Sequence, residues 1–276
     1  MSTYSILGCG WLGLPLAKQL VAHGHQVHGT TTNPAKLALL ADAGILPYEV
    51  RLNALASAAP VLTDFFEAHA IIITVPPSGS KTTTGNNYIQ YLSEFATLAA
   101  QRGQQRIVFI STTSVYPNVG RTVTEADAEY IRSPHSGLVM LEAEDVFRLH
   151  PQIEATVIRF GGLVGGNRHP GRFMAGKKGV PGGQIPVNLI HRDDCLEVIQ
   201  LILAKNIWGQ TLNACAGQHP DKATFYSKAT LNLGLEPPQF SSKPSPFKII
   251  DSGKLVNDYK YTFKYDDPYA MLAADW

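Results

Sequence analysis

Charge of either sign is scarce in this chain, and so are cysteine and long apolar runs. Only 16% of the 276 residues are charged and the formal net charge is +1, with no long basic run. A polyanionic partner such as nucleic acid is therefore not expected. No uninterrupted apolar stretch is long enough to span a bilayer, so no membrane partner is expected either. The 3 cysteines, Cys9, Cys195 and Cys215, lie far apart without metal-type spacing. They read as reduced thiols of a cytoplasmic protein. His23, His25 and His28 stand close together, but no acidic or thiol ligand is near them in sequence. They read as a solvated connection, and no metal is expected. The first residues run through Tyr4-Ser5-Ile6-Leu7-Gly8 without the basic start and apolar core of a secretory signal. What the chain does have is 45% hydrophobic residues, enough for one large domain or for a domain carrying a smaller lobe.

The first half alternates strand-like and helix-like segments. Ser5-Ile6-Leu7 is a short apolar strand, and residues 11–22 have helical spacing with Leu12, Leu16 and Leu20 on one stripe. Pro15 falls in the first helical turn, where backbone N–H groups lack partners in any case. Residues 26–31 read as a second strand and 34–43 as a second helix ended by Gly44. Residues 70–75 form a buried strand stopped by Pro76-Pro77. Then come a long amphipathic helix over 87–102, a strand over 106–111, a helix over 136–149 and a strand over 155–160. This alternation implies an α/β fold, a doubly wound parallel sheet of Rossmann type. After Gly161 the periodicity fades. Residues 165–183 are rich in glycine and basic residues, and 237–246 in proline and serine. The expected division is a Rossmann domain over 1–165, to which the chain returns at 186–212, and a smaller substrate lobe over 166–276. No internal repeat is visible.

Gly8-Cys9-Gly10-Trp11-Leu12-Gly13 follows a strand, opens a helix and begins a β-α-β unit, the context that makes G-x-G-x-x-G a dinucleotide site. Gly8 permits the tight turn, Gly10 lets the backbone approach a pyrophosphate, and Gly13 lets the helix pack against the strand. The helix N-terminus offers N–H groups and a positive dipole end to the phosphates. The competing reading is a glycine turn used for packing alone. The second strand ends Gly29-Thr30-Thr31-Thr32-Asn33 where an NAD site has Asp or Glu, and Lys36 follows one turn on. Hydroxyls with a cation favour NADP over NAD, although NAD remains open. The expected cofactor-binding set is Gly8, Gly10, Trp11, Leu12, Gly13, Thr31, Thr32 and Lys36, with Val75 and Pro76 at the end of the strand over 70–75.

With these motifs in place the sequence resembles the extended short-chain dehydrogenase/reductase family, the NAD(P)-dependent epimerases and dehydratases of sugar nucleotides. Val108-Phe109-Ile110-Ser111-Thr112-Thr113-Ser114-Val115-Tyr116 is similar to that family's strand ending in a hydroxyl cluster and a Val-Tyr pair. The resemblance gives Thr112 the role of hydrogen-bonding the substrate's reacting oxygen. Ile158-Arg159-Phe160-Gly161-Gly162-Leu163-Val164-Gly165 is similar to the segment framing the nicotinamide. Leu189-Ile190-His191-Arg192-Asp193-Asp194 resembles the start of a late helix, and residues 255–265 the closing segment. The carboxylates of Asp193 and Asp194 also suit plain helix capping, and Arg159 a plain ion pair. The resemblance further implies a homodimer, paired through the helices over 87–102 and 136–149.

One departure bears on chemistry. The family's helix carries Tyr-x-x-x-Lys, whereas alignment on Leu141-Glu142-Ala143-Glu144 puts Ser136 and Met140 at those positions. No tyrosine in the chain is followed four residues later by lysine. Serine is too weak an acid to replace a phenol, and methionine supplies neither charge nor a donor. Losing a positioned general acid/base costs a factor of about 10² to 10⁴. Two readings stay open. One is an atypical oxidoreductase or epimerase-like enzyme in which Thr112 orients the oxygen and His135, Tyr116 or Tyr130 handles the proton. His135 has the best-suited ordinary pKa, about 6.5. The other is an NADP(H)-binding sensor without turnover. The substrate or ligand is a small molecule, and Arg168, Arg172, Lys177 and Lys178 would suit an anionic one such as a nucleotide sugar, or else simply face water.

Overall fold

The computed structural model describes residues 1–77, 84–130 and 135–274, the side chains at 56, 61, 84–86, 135 and 136 excepted. Its strands are β1 (Thr3–Leu7), β2 (Gln26–Thr31), β3 (Leu46–Glu49), β4 (Ala70–Ile73), β5 (Arg106–Thr112), β6 (Thr122–Val123), β7 (Glu154–Phe160), β8 (Gly162–Val164), β9 (Leu189–His191), β10 (Thr211–Ala214) and β11 (Ile249–Ile250). Seven of them form one sheet in the order β10-β7-β5-β4-β1-β2-β3. β1 pairs in parallel with both β2 and β4. The strand order therefore reverses at β1, the place where ligands of open α/β sheets bind beyond the carboxyl ends of the strands. The chain thus has the Rossmann-type α/β fold that its periodicity implies.

Two compact units are present. The first comprises Met1–Ser111, Leu138–Ile158 and Ile199–Thr211, and the second Thr112–Gly137, Arg159–Val198 and Leu212–Trp276. In the first, all four residues of β4 are fully buried, each of its three isoleucine side chains contributing about 1.5–3 kcal/mol. A run of ring contacts, Tyr48–Phe65–Phe66–Phe95, links β3 to the helix Thr84–Gln101 at centroid separations of 5.9, 5.7 and 5.4 Å. Leu92 and Phe95 on that helix are fully buried, so they face their own unit and leave Ile89 and Leu98 half-buried. In the second unit, Val164, Val187, Leu189, Phe225 and Met271 form a separate core. Two small parallel sheets, β8-β9 and β6-β11, belong to it.

Some element bounds differ from the sequence reading, for identifiable reasons. The first helix begins at Gly13 rather than Trp11, because Gly8 to Leu12 are used in the turn. The segment expected as one helix over 34–43 splits into a 3-10 turn, Pro34–Lys36, and a helix, Leu37–Asp42. Asn33 caps the turn by accepting from Ala35 N. β3 escaped notice because it is a four-residue edge strand containing Pro47, with no fully buried position. Among the described residues no helix is long and apolar enough to cross a membrane.

Candidate functional site

The glycine turn is held from both neighbouring strands. Gly8 has a left-handed backbone (φ +106°), and a Cβ there would lie 2.7 Å from Val75 Cγ1 and 3.0 Å from Thr74 Oγ1. Gly8 N donates to Thr30 Oγ1 at 2.9 Å, while Thr74 Oγ1 donates to Gly8 O at 2.6 Å. Cys9 N donates to Thr30 O at 2.7 Å. Gly13 is under the greatest steric demand, since an added Cβ would meet Gly8 O at 2.2 Å and Ile6 Cγ2 at 3.0 Å. Gly10 is the opposite case: it is exposed, and a Cβ there would meet nothing within 4 Å. The helix Gly13–Ala22 has no side-chain cap and no acidic residue in its first turn. Of its leading N–H groups, Leu14 N is already taken by Gly10 O at 3.1 Å and Pro15 has none, so what the helix end offers an anion is the positive end of its dipole. The space above Gly10, with this uncapped helix end, fits a dinucleotide's pyrophosphate.

Cys9 lies inside the turn rather than facing a ligand. A Cβ on Gly29 would meet its Sγ at 2.6 Å, so β2 needs glycine to make room for the thiol. Burial pushes the Cys9 pKa up to about 12, which keeps it protonated and unreactive. Trp11 is half-buried and Leu12 buried.

At the carboxyl end of β2, Thr31 is buried and its Oγ1 accepts from Asn33 N at 3.2 Å. Thr32 and Lys36 are exposed. Arg51, just beyond β3, donates from Nη2 to Thr32 O at 2.9 Å. Val75 is half-buried, its carbonyl accepting from Tyr88 Oη at 2.8 Å, and Pro76 is exposed. The structure thus gathers the glycine turn, the β2 end and Val75 at one edge of the sheet. Thr30, Thr74, Gly29 and Arg51 also stand there, outside the cofactor-binding set expected from the sequence. Only Gly29, a glycine inside a strand, carried a signal for close approach.

The residues tied to catalysis by resemblance belong elsewhere in the chain. Thr112 ends β5 half-buried, and its Oγ1 accepts from Ser114 N at 3.2 Å. That contact uses a lone pair and leaves the hydroxyl proton available. His135 opens the helix His135–Arg148, but the side chains of His135 and Ser136 lie outside the described residues; Met140 on the same helix is buried. Tyr116 is fully buried, donating to Asn213 Oδ1 at 2.5 Å and accepting from Arg159 Nη1 at 2.8 Å. Burial pushes its pKa up to about 12, so it does not serve as a ligand-facing acid. Arg159 also donates to Glu125 O at 3.0 Å and is a structural cation. Asp194 accepts from Tyr261 Oη, Lys264 N and Tyr265 N at 2.8, 2.7 and 3.1 Å, anchoring the closing segment. Tyr130, Arg168, Arg172, Lys177 and Lys178 are exposed. Among the described residues no group of three His, Cys, Asp or Glu could hold a metal ion.

Comparison with known proteins agrees with this geometry. The profile of an NAD(P)H-binding family matches residues 8–198. Protein YeeZ of Escherichia coli (strain K12) is 37% identical over 277 residues, covering 98% of this chain and 99% of that protein. A short-chain dehydrogenase/reductase superfamily protein from Agrobacterium tumefaciens with bound NAD superposes with a TM-score of 0.77 at 18% identity, covering 98% of this chain and 95% of the other. The UDP-N-acetylglucosamine 4-epimerase of Bacillus cereus has a TM-score of 0.76 at 15% identity, with 99% of each chain covered.

Proposed function

The chain belongs to the NAD(P)H-binding family, and from that premise we propose that it is a cytoplasmic, epimerase/dehydratase-like oxidoreductase that prefers NADP. The observation that carries this reading is the glycine turn, closed around Gly8 and Gly13 and open above Gly10. In the proposed assignment the pyrophosphate lies over Gly10, Trp11 and Leu12. Thr31, Thr32 and Lys36 meet the adenosine ribose, and Val75 and Pro76 line the path to the nicotinamide. The Rossmann domain over 1–165 and 186–212 would hold the cofactor and the lobe over 166–276 the substrate. Bound NADP supplies a nicotinamide ring that accepts and returns hydride.

Thr112 is the proposed substrate-orienting residue, because its hydroxyl proton is left unused by the local turn. His135 is the proposed proton carrier, since Tyr116 is withdrawn into the Arg159–Asn213 network. The Bacillus cereus epimerase of the same fold acts on a nucleotide sugar by its name. With the exposed Arg168, Arg172, Lys177 and Lys178, that supports an anionic substrate of this class. A homodimer is part of the proposal.

The absence of Tyr-x-x-x-Lys favours a second reading, an NADP(H)-binding sensor without turnover. Two measurements test these readings. Titration of NADPH and NADH by tryptophan fluorescence should show tighter NADPH binding, and tighter NADH refutes the cofactor preference. A reduction screen over carbonyl compounds and nucleotide sugars should yield turnover; NADPH binding with no turnover on any of them selects the sensor.

A further inference from the structure

We propose that Arg51 selects the adenosine 2′-phosphate, reaching it from β3 rather than from the helix after β2. This inference rests on the NADP preference above and names the residue that sets it. Placement comes from the main chain. Val50 N donates to Thr31 O at 3.0 Å, extending the β2–β3 ladder past Glu49, so Arg51 is held two residues beyond the strand end. Its side chain then turns back, Nη2 donating to Thr32 O at 2.9 Å. A guanidinium has five N–H donors in a fixed fork, so this contact orients the group and leaves most donors for a ligand.

Lys36 stands exposed at the end of the Pro34–Lys36 turn. Its charge is felt at the glycine turn, where it opposes the effect of burial on the Cys9 thiol. Neither Arg51 nor Lys36 forms an ion pair with a described carboxylate. Arg51 contacts Thr32 and Lys36 follows that residue by four positions, so a phosphate dianion bound at this strand end would be met by cations that have no described ion-pair partner of their own. Bidentate geometry is open to the arginine and not to the lysine, which places the discrimination on Arg51. Glu49, paired in register with Thr31, is the competing reader. A carboxylate there would accept the two free ribose hydroxyls of NAD and repel a 2′-phosphate.

The test uses adenosine 2′,5′-bisphosphate and 5′-AMP as probes, which differ only in that phosphate, titrated by calorimetry into the full chain. The wild type should prefer the bisphosphate. Arg51→Ala should weaken the bisphosphate by about 10- to 100-fold, as expected for a lost charge-assisted pair. It should leave 5′-AMP affinity unchanged and flatten the salt dependence of bisphosphate binding. Arg51→Lys should recover only part of the loss. Equal weakening of both probes would mean that Arg51 merely braces Thr32, which overturns the assignment. So would an unchanged bisphosphate affinity in Arg51→Ala, and in that case the preference for NADP still stands and passes to Lys36. A wild type that prefers 5′-AMP, with Glu49→Gln weakening it, overturns the NADP reading and this inference together. Thermal unfolding of each variant confirms that the fold is intact.

Discussion

Adding a single methyl group to the glycine turn should separate cofactor binding from stability. At Gly13 the new Cβ would sit 2.2 Å from Gly8 O and 3.1 Å from Gly8 C, both backbone atoms that cannot rotate aside. The helix must retreat from β1 by roughly 1 Å to regain ordinary van der Waals separation. Overpacking of this kind costs about 1–3 kcal/mol, and alanine's better helix propensity returns at most about 1 kcal/mol. A net loss of about 1–2 kcal/mol lowers Tm by about 2–8 °C for a chain of this size. At Gly10 the same methyl enters open space, and this glycine is not among those with positive φ. Gly10→Ala should therefore leave Tm unchanged or raise it slightly, since a stiffer unfolded chain is worth about 0.4–1 kcal/mol. In the proposed assignment the methyl occupies the approach path of the pyrophosphate, so NADPH affinity should fall by about 10-fold or more, the value of one charge-assisted hydrogen bond. Thermal unfolding by circular dichroism reads the first effect and NADPH titration the second. A Gly10→Ala protein that binds NADPH like the wild type refutes the assignment of that space. A Gly13→Ala protein with undiminished Tm refutes the packing argument.

Three further outcomes are expected. If the protein turns over a substrate, Thr112→Ala should lower the rate by about 10² to 10³, while Ser136→Ala and Met140→Ala are tolerated far better. A severe loss confined to Ser136→Ala, in kinetics normalised to bound NADPH, would show that the helix supplies chemistry after all. Burial holds His28, His169, His191 and His219 below the ordinary histidine pKa, so the folded state binds fewer protons than the unfolded one. Their stabilisation is fully present above about pH 6.5 and is lost as pH falls through that value toward the lower folded ones. Tm measured across this range should drop on acidification, and a flat profile contradicts the burial argument. The proposed dimer would pair the helices Thr84–Gln101 and His135–Arg148 through half-buried Ile89, Leu98, Val139 and Val146. Sedimentation of a monomer at micromolar concentration removes that proposal.

Local requirements were legible in the amino-acid sequence. Gly8, Gly10 and Gly13 declare a turn because glycines recur at a fixed spacing between a strand and a helix, and the apolar run Ala70-Ile71-Ile72-Ile73 declares a strand buried on both faces. Tertiary structure decided what depends on register between distant segments. Thr30 and Thr74 become clamps on Gly8 only because β1 lies between β2 and β4. Arg51 reaches Thr32 only because a short proline-bearing edge strand pairs with β2. Tyr116, a plausible acid in the linear sequence, is buried by partners 43 and 97 residues away. A side chain's own type and spacing set its capability, but burial and partner are properties of the packed chain, and these decide whether a hydroxyl or a cation is free to meet a ligand.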